Sequence, residues 1–170
     1  MNINRRRFLK SSAAFMAAAS YGDISKAYTY WQQDLNTLDH KIKVIGVGGA
    51  GGNIVSNMIE AEVLGVEFIA AGTDIYAPDR HNAAKKIYLG RGSCAEGYPE
   101  YGKRGAEENA DIIADAVKGA DIAFIVAGMG GETGTGAAPV IARIAQECGV
   151  LVVALVTTPF NWDPVERRCY

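Results

Sequence analysis

From residue 41 onward, runs of apolar residues alternate with stretches in which apolar positions recur every three or four residues. The runs predict buried strands, and the periodic stretches predict amphipathic helices. The predicted strands are 42–47, 66–71, 86–89, 121–126 and 150–156, and the predicted helices are 53–62, 103–117 and 135–147. Continuous apolar strands separated by helices are typical of a parallel sheet covered on both faces. The sequence therefore predicts an α/β fold, a doubly wound parallel sheet in three layers that is incomplete at its C-terminus.

The ends of the predicted helices carry their own signals. Asn53 is expected to cap the first helix, and Gly149 is expected to lie just past the end of the third. Residues 90–102 are expected to form a loop before the second helix. That helix has an apolar face, made of Ala106, Ala110, Ile113, Ala114 and Val117.

Two glycine-rich segments each follow a predicted strand: GVGGAGGN at 46–53 and AGMGGETGTG at 127–136. Such a turn points backbone N–H groups at an anion, and the dipole of the following helix favours negative charge there. Because the carboxyl ends of parallel strands meet at one edge, both loops can face one ligand. The expected binding residues are Gly48, Gly49, Ala50, Gly51, Gly52 and Asn53 in the first segment, and Gly130, Gly131, Glu132, Thr133, Gly134 and Thr135 in the second.

Neither glycine segment contains a lysine, and the chain has no GxxxxGK[ST] sequence. This excludes the phosphate site of P-loop enzymes, in which a lysine reaches the phosphates. The charge of a bound phosphate would have to be met by backbone dipoles, threonine hydroxyls and a metal ion that accompanies the ligand.

Composition narrows the classes of function. The chain has 170 residues, 49% of them hydrophobic, and a formal net charge of −2, which argues against a nucleic-acid partner. No apolar run is long enough to predict a transmembrane segment. The three cysteines, Cys94, Cys148 and Cys169, form no CxxC pair, so no metal site is predicted from them.

Residues 1–40 are expected to be a leader and linker that precede a single domain at 41–170. The leader contains Asn4-Arg5-Arg6-Arg7-Phe8-Leu9-Lys10, which resembles a twin-arginine export signal, followed by the small and apolar residues 11–20. Two interpretations stay open: a signal for export, or a basic leader on a protein that remains in the cytoplasm.

Four segments together resemble the nucleotide-binding half of the FtsZ family, the bacterial tubulin homologues: GVGGAGGN at 46–53, GVEFIAAGTD at 65–74, the stretch 119–145 that contains GGETGTG, and VTTPFNW at 156–162. The resemblance covers about 42–168. It implies a cytoplasmic GTP- or GDP-binding domain of a cell-division GTPase, with Mg²⁺ accompanying the nucleotide and full-length FtsZ-like subunits as partners.

The resemblance also assigns single residues and exposes departures. The resemblance retains Asp74 from the family's NTD triplet, whose Asn position is Gly72 here. It aligns Asp163 and Arg167 with the residues that contact the sugar and the base. Two interpretations stay open for this pair: those contacts, or a helix cap at Asp163 and a solvated surface charge at Arg167. The family signature GGGTGTG reads GGETGTG, so Glu132 replaces a glycine. A carboxylate beside phosphates opposes their binding unless it points away or meets a metal ion.

In the family, a central helix and an acidic loop follow this region. The helix closes the guanine pocket, and the loop completes the site of the next subunit. The sequence ends at Tyr170, before either of them. No catalytic residue is therefore assigned, and turnover of GTP by the chain alone is expected to be negligible.

Two other functions compete with this interpretation. Gly46, Gly48 and Gly51 fit the GxGxxG fingerprint of a dinucleotide-binding oxidoreductase, with Asp74 as the acid that binds the ribose. A Rossmann site needs only one glycine loop, and the second segment argues against it. The other alternative is a non-enzymatic interaction module, or a remnant, that caps FtsZ-like filaments and has lost nucleotide binding through Glu132.

The resemblance predicts that the chain does not form filaments alone, because a head-to-tail contact propagates only if both complementary surfaces are present. Sedimentation and light scattering with GTP and Mg²⁺ measure this, and nucleotide-dependent pelleting of the pure chain would contradict it. The chain is also expected to bind one end of a complete FtsZ-like filament and shorten it. Substoichiometric addition to a full-length partner measures that effect, and unchanged polymer length would count against it.

Overall fold

The computed structural model describes residues 41–74, 81–90 and 98–159. Within these residues five strands form one sheet, in which every strand pair is parallel and the strand order is β3-β2-β1-β4-β5. The elements along the chain are β1 (Ile42–Val47), α1 (Gly48–Glu60), β2 (Val66–Gly72), β3 (Lys85–Tyr88), α2 (Pro99–Glu108), α3 (Ala110–Val117), β4 (Ile122–Gly128), α4 (Glu132–Glu147) and β5 (Leu151–Thr157). The predicted α/β fold is confirmed, and each predicted strand is present within two residues at either end.

The predicted starts of the helices are wrong. α1 begins at Gly48 and not at 53, so Asn53 is an exposed residue inside the helix and not its cap. The capping position belongs to Val47, which has an extended backbone (φ −108°, ψ 122°). Likewise, α4 begins at Glu132 and not at 135. Both starts were predicted too late because glycine is a poor helix former in isolation. Here packing against the strands outweighs that preference.

The predicted helix 103–117 is two helices. It begins earlier, at Pro99, where proline suits the first helical position, and it is interrupted at Asn109 (φ −108°, ψ 23°). The side-chain amide of Asn109 donates a hydrogen bond to the carbonyl oxygen of Gly105 at 2.8 Å. Asn side chains compete in this way for backbone groups and interrupt helices. The expected apolar face is present, because Ala106, Ile113 and Val117 are fully buried.

The sheet separates two hydrophobic cores. One core lies between the sheet and α1 and contains Val44 and Val55. The larger core lies between the other face and α2, α3 and α4, with Ile45, Ile113 and Ile141 among its members. Neighbouring residues Val44 and Ile45 enter opposite cores because successive side chains of a strand point to opposite faces. The result is the predicted three-layer arrangement.

A buried lysine ties the amino end of the sheet to α3. Lys43 is 8% exposed, and its Nζ donates a hydrogen bond to the carbonyl oxygen of Ala116 at 2.7 Å. The same atom lies 3.1 Å from the Glu67 carboxylate. A lysine is favourable there because the last carbonyls of a helix lack partners within the helix.

Several sequence predictions lie outside the described residues: the leader and its export signal at 1–40, part of the loop predicted at 90–102, and the segment that contains Asp163 and Arg167. Among the helices that the structure does describe, none has both the length and the apolar character needed to cross a membrane. The glycine expected past the third predicted helix is confirmed, since Gly149 follows α4 with φ +80°.

We predict that Gly136→Ala lowers the free energy of unfolding by about 1–3 kcal/mol, as overpacking does. A Cβ on Gly136 would collide with the carbonyl oxygen of Pro99 and approach the backbone nitrogen of Lys103 to 2.7 Å. The predicted loss of stability is opposite in sign to the effect of helix propensity, which favours alanine over glycine by about 1 kcal/mol.

Urea denaturation of the whole chain measures this change, with Gly49→Ala as the matched control. A Cβ on Gly49, also in a helix, meets nothing within 4 Å, so that variant is expected to be neutral or slightly stabilised. Stabilisation by Gly136→Ala would show that α2 and α4 pack more loosely than the structure has them.

Candidate functional site

The strand order changes direction between β1 and β4, which are neighbours in the sheet although β2 and β3 come between them in sequence. The register pairs Val47 with Ala127, so both strands end at the same level. The two glycine segments leave these adjacent ends. In an open parallel sheet, ligands bind in the crevice beyond the strand ends at such a point.

A cavity of about 350 Å³ occupies this crevice. Both glycine segments line it, through eight of the expected residues: Gly48, Gly49, Ala50, Gly130, Gly131, Glu132, Thr133 and Gly134. Thr157, Thr158 and Pro159 line it as well. These three residues were not among the expected binding residues. The signal that could have identified them is the sequence TTP, which directly follows the last predicted strand.

The remaining expected residues have other positions. Gly51 and Gly52 are buried behind the first turn of α1, where a Cβ would collide with the carbonyl oxygen of Val126 and with the ring of His81, respectively. Asp74 follows β2, is partly buried, and is absent from the described lining of the cavity. The first glycine segment thus supplies both ligand-facing positions and positions that seat the helix.

Gly48 is the residue at which the chain turns from β1 into α1. Its φ of +70° lies in the left-handed region, and a Cβ there would stand 3.2 Å from the Cβ of Thr133. By contrast, a Cβ on Gly49 or on Gly131 would meet nothing within 4 Å. These two positions border open space, which is where a ligand can approach the backbone closely.

Backbone N–H groups are the donors of this site. Neither α1 nor α4 has a side-chain hydrogen bond at its N-cap, which is Val47 in α1 and Gly131 in α4. The first N–H groups of a helix have no partner within the helix, and the helix dipole adds partial positive charge at the same end. Two such ends meet at one cavity, so the site is suited to a polyanion.

Three threonine hydroxyls stabilise the loops through two hydrogen bonds. Thr133 and Thr73 are joined by a hydrogen bond of 2.7 Å between their hydroxyl oxygens, which links α4 to the end of β2. The hydroxyl of Thr135 accepts a hydrogen bond of 2.8 Å from the backbone N–H of Gly130. Thr135 itself is absent from the described lining of the cavity, so its hydroxyl supports the loop rather than facing the ligand.

Glu132 carries the only charged side chain among the described residues that line the cavity. It is the first residue of α4, where the helix dipole favours a carboxylate. An anionic ligand competes for the same dipole and is repelled by the carboxylate. No group of three His, Cys, Asp or Glu side chains that could hold a metal ion occurs within the described part of the chain.

Comparison with known proteins agrees with this architecture. The family model described as the Tubulin/FtsZ family, GTPase domain, matches residues 41–170. The cell division protein FtsZ of Mycoplasmopsis pulmonis is 54% identical over 125 residues, which are 72% of this chain and 32% of that protein.

Two solved structures extend the likeness. The empty FtsZ dimer of M. jannaschii is similar with a TM-score of 0.70 and 41% identity, over 76% of this chain and 39% of that one. CetZ2 from Haloferax volcanii, solved as a GTPγS-bound protofilament, is similar with a TM-score of 0.57 and 28% identity, over 68% and 39% of the two chains. This chain spans about a third to two fifths of the length of these relatives.

The family model covers well over half of the chain, and the sheet order, the paired glycine segments and the cavity between them agree with it. The chain therefore belongs to the Tubulin/FtsZ family, of which it carries the GTPase domain.

Proposed function

We propose that this domain binds a guanine nucleotide, GTP or GDP, with the phosphates in the cavity between the two glycine segments. The observation that carries the proposal is the convergence of two uncapped helix N-termini on one cavity at the switch point of the sheet. The phosphates would accept hydrogen bonds from the backbone N–H groups of Gly49, Ala50, Thr133 and Gly134. Family membership supports guanine as the base.

Mg²⁺ would enter the site with the nucleotide. It takes oxygen ligands in an octahedral arrangement and keeps several waters, so it is usually held by phosphates together with one or two protein groups. The hydroxyl of Thr133 is an oxygen donor on the wall of the cavity. When bound, the ion would offset phosphate charge that no lysine or arginine of the described lining meets.

The sugar and the base would lie toward the end of β5. Thr158 and Pro159 line the cavity on that side and lead into the segment in which Asp163 and Arg167 are proposed to contact them. Asp74, one strand beyond the switch point, is proposed to act on the nucleotide from the end of β2. The domain is proposed to run over 41–170, with 1–40 as a leader.

We place this activity in cell division, in the cytoplasm, with FtsZ-like subunits as partners. The support comes from the relatives, one of which is named a cell division protein, one a dimer and one a protofilament. A dinucleotide-binding oxidoreductase is the weaker interpretation. It accounts for the first glycine segment and leaves the second, which forms half of the cavity, without a role.

We predict that GTP with Mg²⁺ raises the melting temperature of the whole chain and that NAD does not. A ligand at about 100 times its Kd stabilises a protein by about 2.7 kcal/mol, which raises the Tm of a domain of this size by roughly 5–15 °C. Differential scanning fluorimetry over a series of concentrations measures the shift. A larger shift with NAD would favour the oxidoreductase, and none with any guanine nucleotide would contradict the proposal.

A second prediction concerns Gly48→Ala, which should weaken GTP binding about tenfold, since a distorted turn misplaces several N–H donors at once. Gly119→Ala is the matched control. Gly119 has a similar φ of +75° and open space around it. It precedes β4, at the amino ends of the strands and therefore away from the cavity. Gly119→Ala should lose about 1 kcal/mol of stability, because alanine is strained at positive φ, and Gly48→Ala should lose somewhat more, because its Cβ would also crowd that of Thr133.

Isothermal titration with GTP and Mg²⁺ separates the two variants. Only Gly48→Ala is expected to change the Kd. Equal affinities would mean that the turn after β1 is not part of the nucleotide site.

A further inference from the structure

A second, smaller cavity adjoins the proposed nucleotide site. Its volume is about 160 Å³, and it lies between the ends of β2 and β3 and the middle of α2. Among the described residues, Glu132 is the only one that lines both cavities. The hydrogen bond between Thr73 and Thr133 stands between them, because Thr73 lines the small cavity and Thr133 lines the large one.

Helix α2 packs closely against the residues that separate the two cavities. A Cβ on Gly102 would stand 2.6 Å from the carbonyl oxygen of Glu132, and a Cβ on Gly105 would collide with the carbonyl oxygen of Leu89. No side chain can therefore separate α2 from the start of α4 or from the end of β3. Arg104, which lies between these two glycines in the sequence, lines the small cavity together with Glu132.

Arg104 brings a positive charge to the wall of the small cavity. Its guanidinium lies 5.7 Å from the centre of the Tyr101 ring, and its Nε lies 3.5 Å from the carboxylate of Glu108. The Arg104 and Glu108 side chains are 70% and 67% exposed, and an ion pair so exposed contributes little to stability. Arg104, Glu108 and Glu132 line the same cavity, and the exposed ion pair with Glu108 holds the arginine only weakly in its present position.

We infer that Arg104 is a positioning residue that draws the Glu132 carboxylate into the small cavity when a nucleotide occupies the large one. This inference rests on the proposed function and deepens it. Glu132 stands where FtsZ-like sequences have glycine, and a carboxylate left among the phosphates repels them. Held on the far side of the Thr73–Thr133 hydrogen bond by an arginine, the same carboxylate no longer opposes a triphosphate.

The test is a double-mutant cycle on the whole chain, with GTPγS and GDP titrated separately in the presence of Mg²⁺. At low salt, Arg104→Ala is expected to weaken GTPγS binding by about five- to tenfold, and GDP binding by less, because the triphosphate carries more charge. In the Glu132→Gly background, Arg104→Ala is expected to have no effect. Arg104→Lys should keep most of the affinity, because it retains the positive charge.

Arg143→Ala is the matched control. Arg143 is likewise exposed and lies 3.7 Å from a glutamate of α2, Glu107, while neither described cavity lining includes it. Arg143→Ala changes the net charge by the same amount as Arg104→Ala, and it is expected to leave the affinities for GTPγS and GDP unchanged. At about 1 M salt, where charges are screened beyond about 3 Å, the effect of Arg104→Ala should largely vanish.

Equal losses from Arg104→Ala in the presence and absence of Glu132 would overturn the inference, since they would show a general structural role. Unchanged affinity for Arg104→Ala with Glu132 present would overturn it as well. Both outcomes leave the proposed nucleotide site intact. Failure of every variant, Glu132→Gly included, to bind any guanine nucleotide would instead overturn the proposed function and this inference with it. Thermal melts monitored by circular dichroism confirm that each variant is folded.

Discussion

The close approach of α1 and α4 to the ends of β1 and β4 is the constraint on which the rest of the structure depends. A Cβ on Gly51 would collide with the carbonyl oxygen of Val126, and a Cβ on Gly134 would collide with that of Gly128. Only glycine at these positions lets each helix begin directly against a strand. Because both helices start there, their free N–H groups reach one cavity, and the backbone itself becomes the binding surface.

The same constraint explains which features could be predicted from sequence. Strands such as Ile42–Val47 were predictable because they are buried on both faces and read as continuous apolar runs. The location of the site was predictable because parallel strands bring their following loops to one edge. The beginnings of α1 and α4 were not predictable, because six glycines within the first five residues of the two helices are locally typical of loops. The contacts that make these residues helical come from strands distant in sequence.

Other features could be read only from the structure. Asn109 could continue the helix or interrupt it by a hydrogen bond from its side chain to the backbone, and tertiary packing decides between the two. The hydrogen bond between Thr73 and Thr133 joins residues sixty positions apart, and no local pattern predicts it. The small cavity beside Glu132 likewise arises from packing of α2 against α4, which sequence periodicity does not specify.

A site made of backbone groups responds to sequence change in a particular way. Its donors survive most substitutions, since every residue except proline supplies an N–H, and what matters is whether a new side chain has room. At Gly134 it has none, because the Gly128 carbonyl occupies the space. At position 132, two residues earlier, the chain borders two cavities, so the side chain of Glu132 has room. The glutamate at position 132 is therefore a matter of charge and not of shape, and a charge can be offset by a neighbouring residue, whereas a collision with backbone cannot.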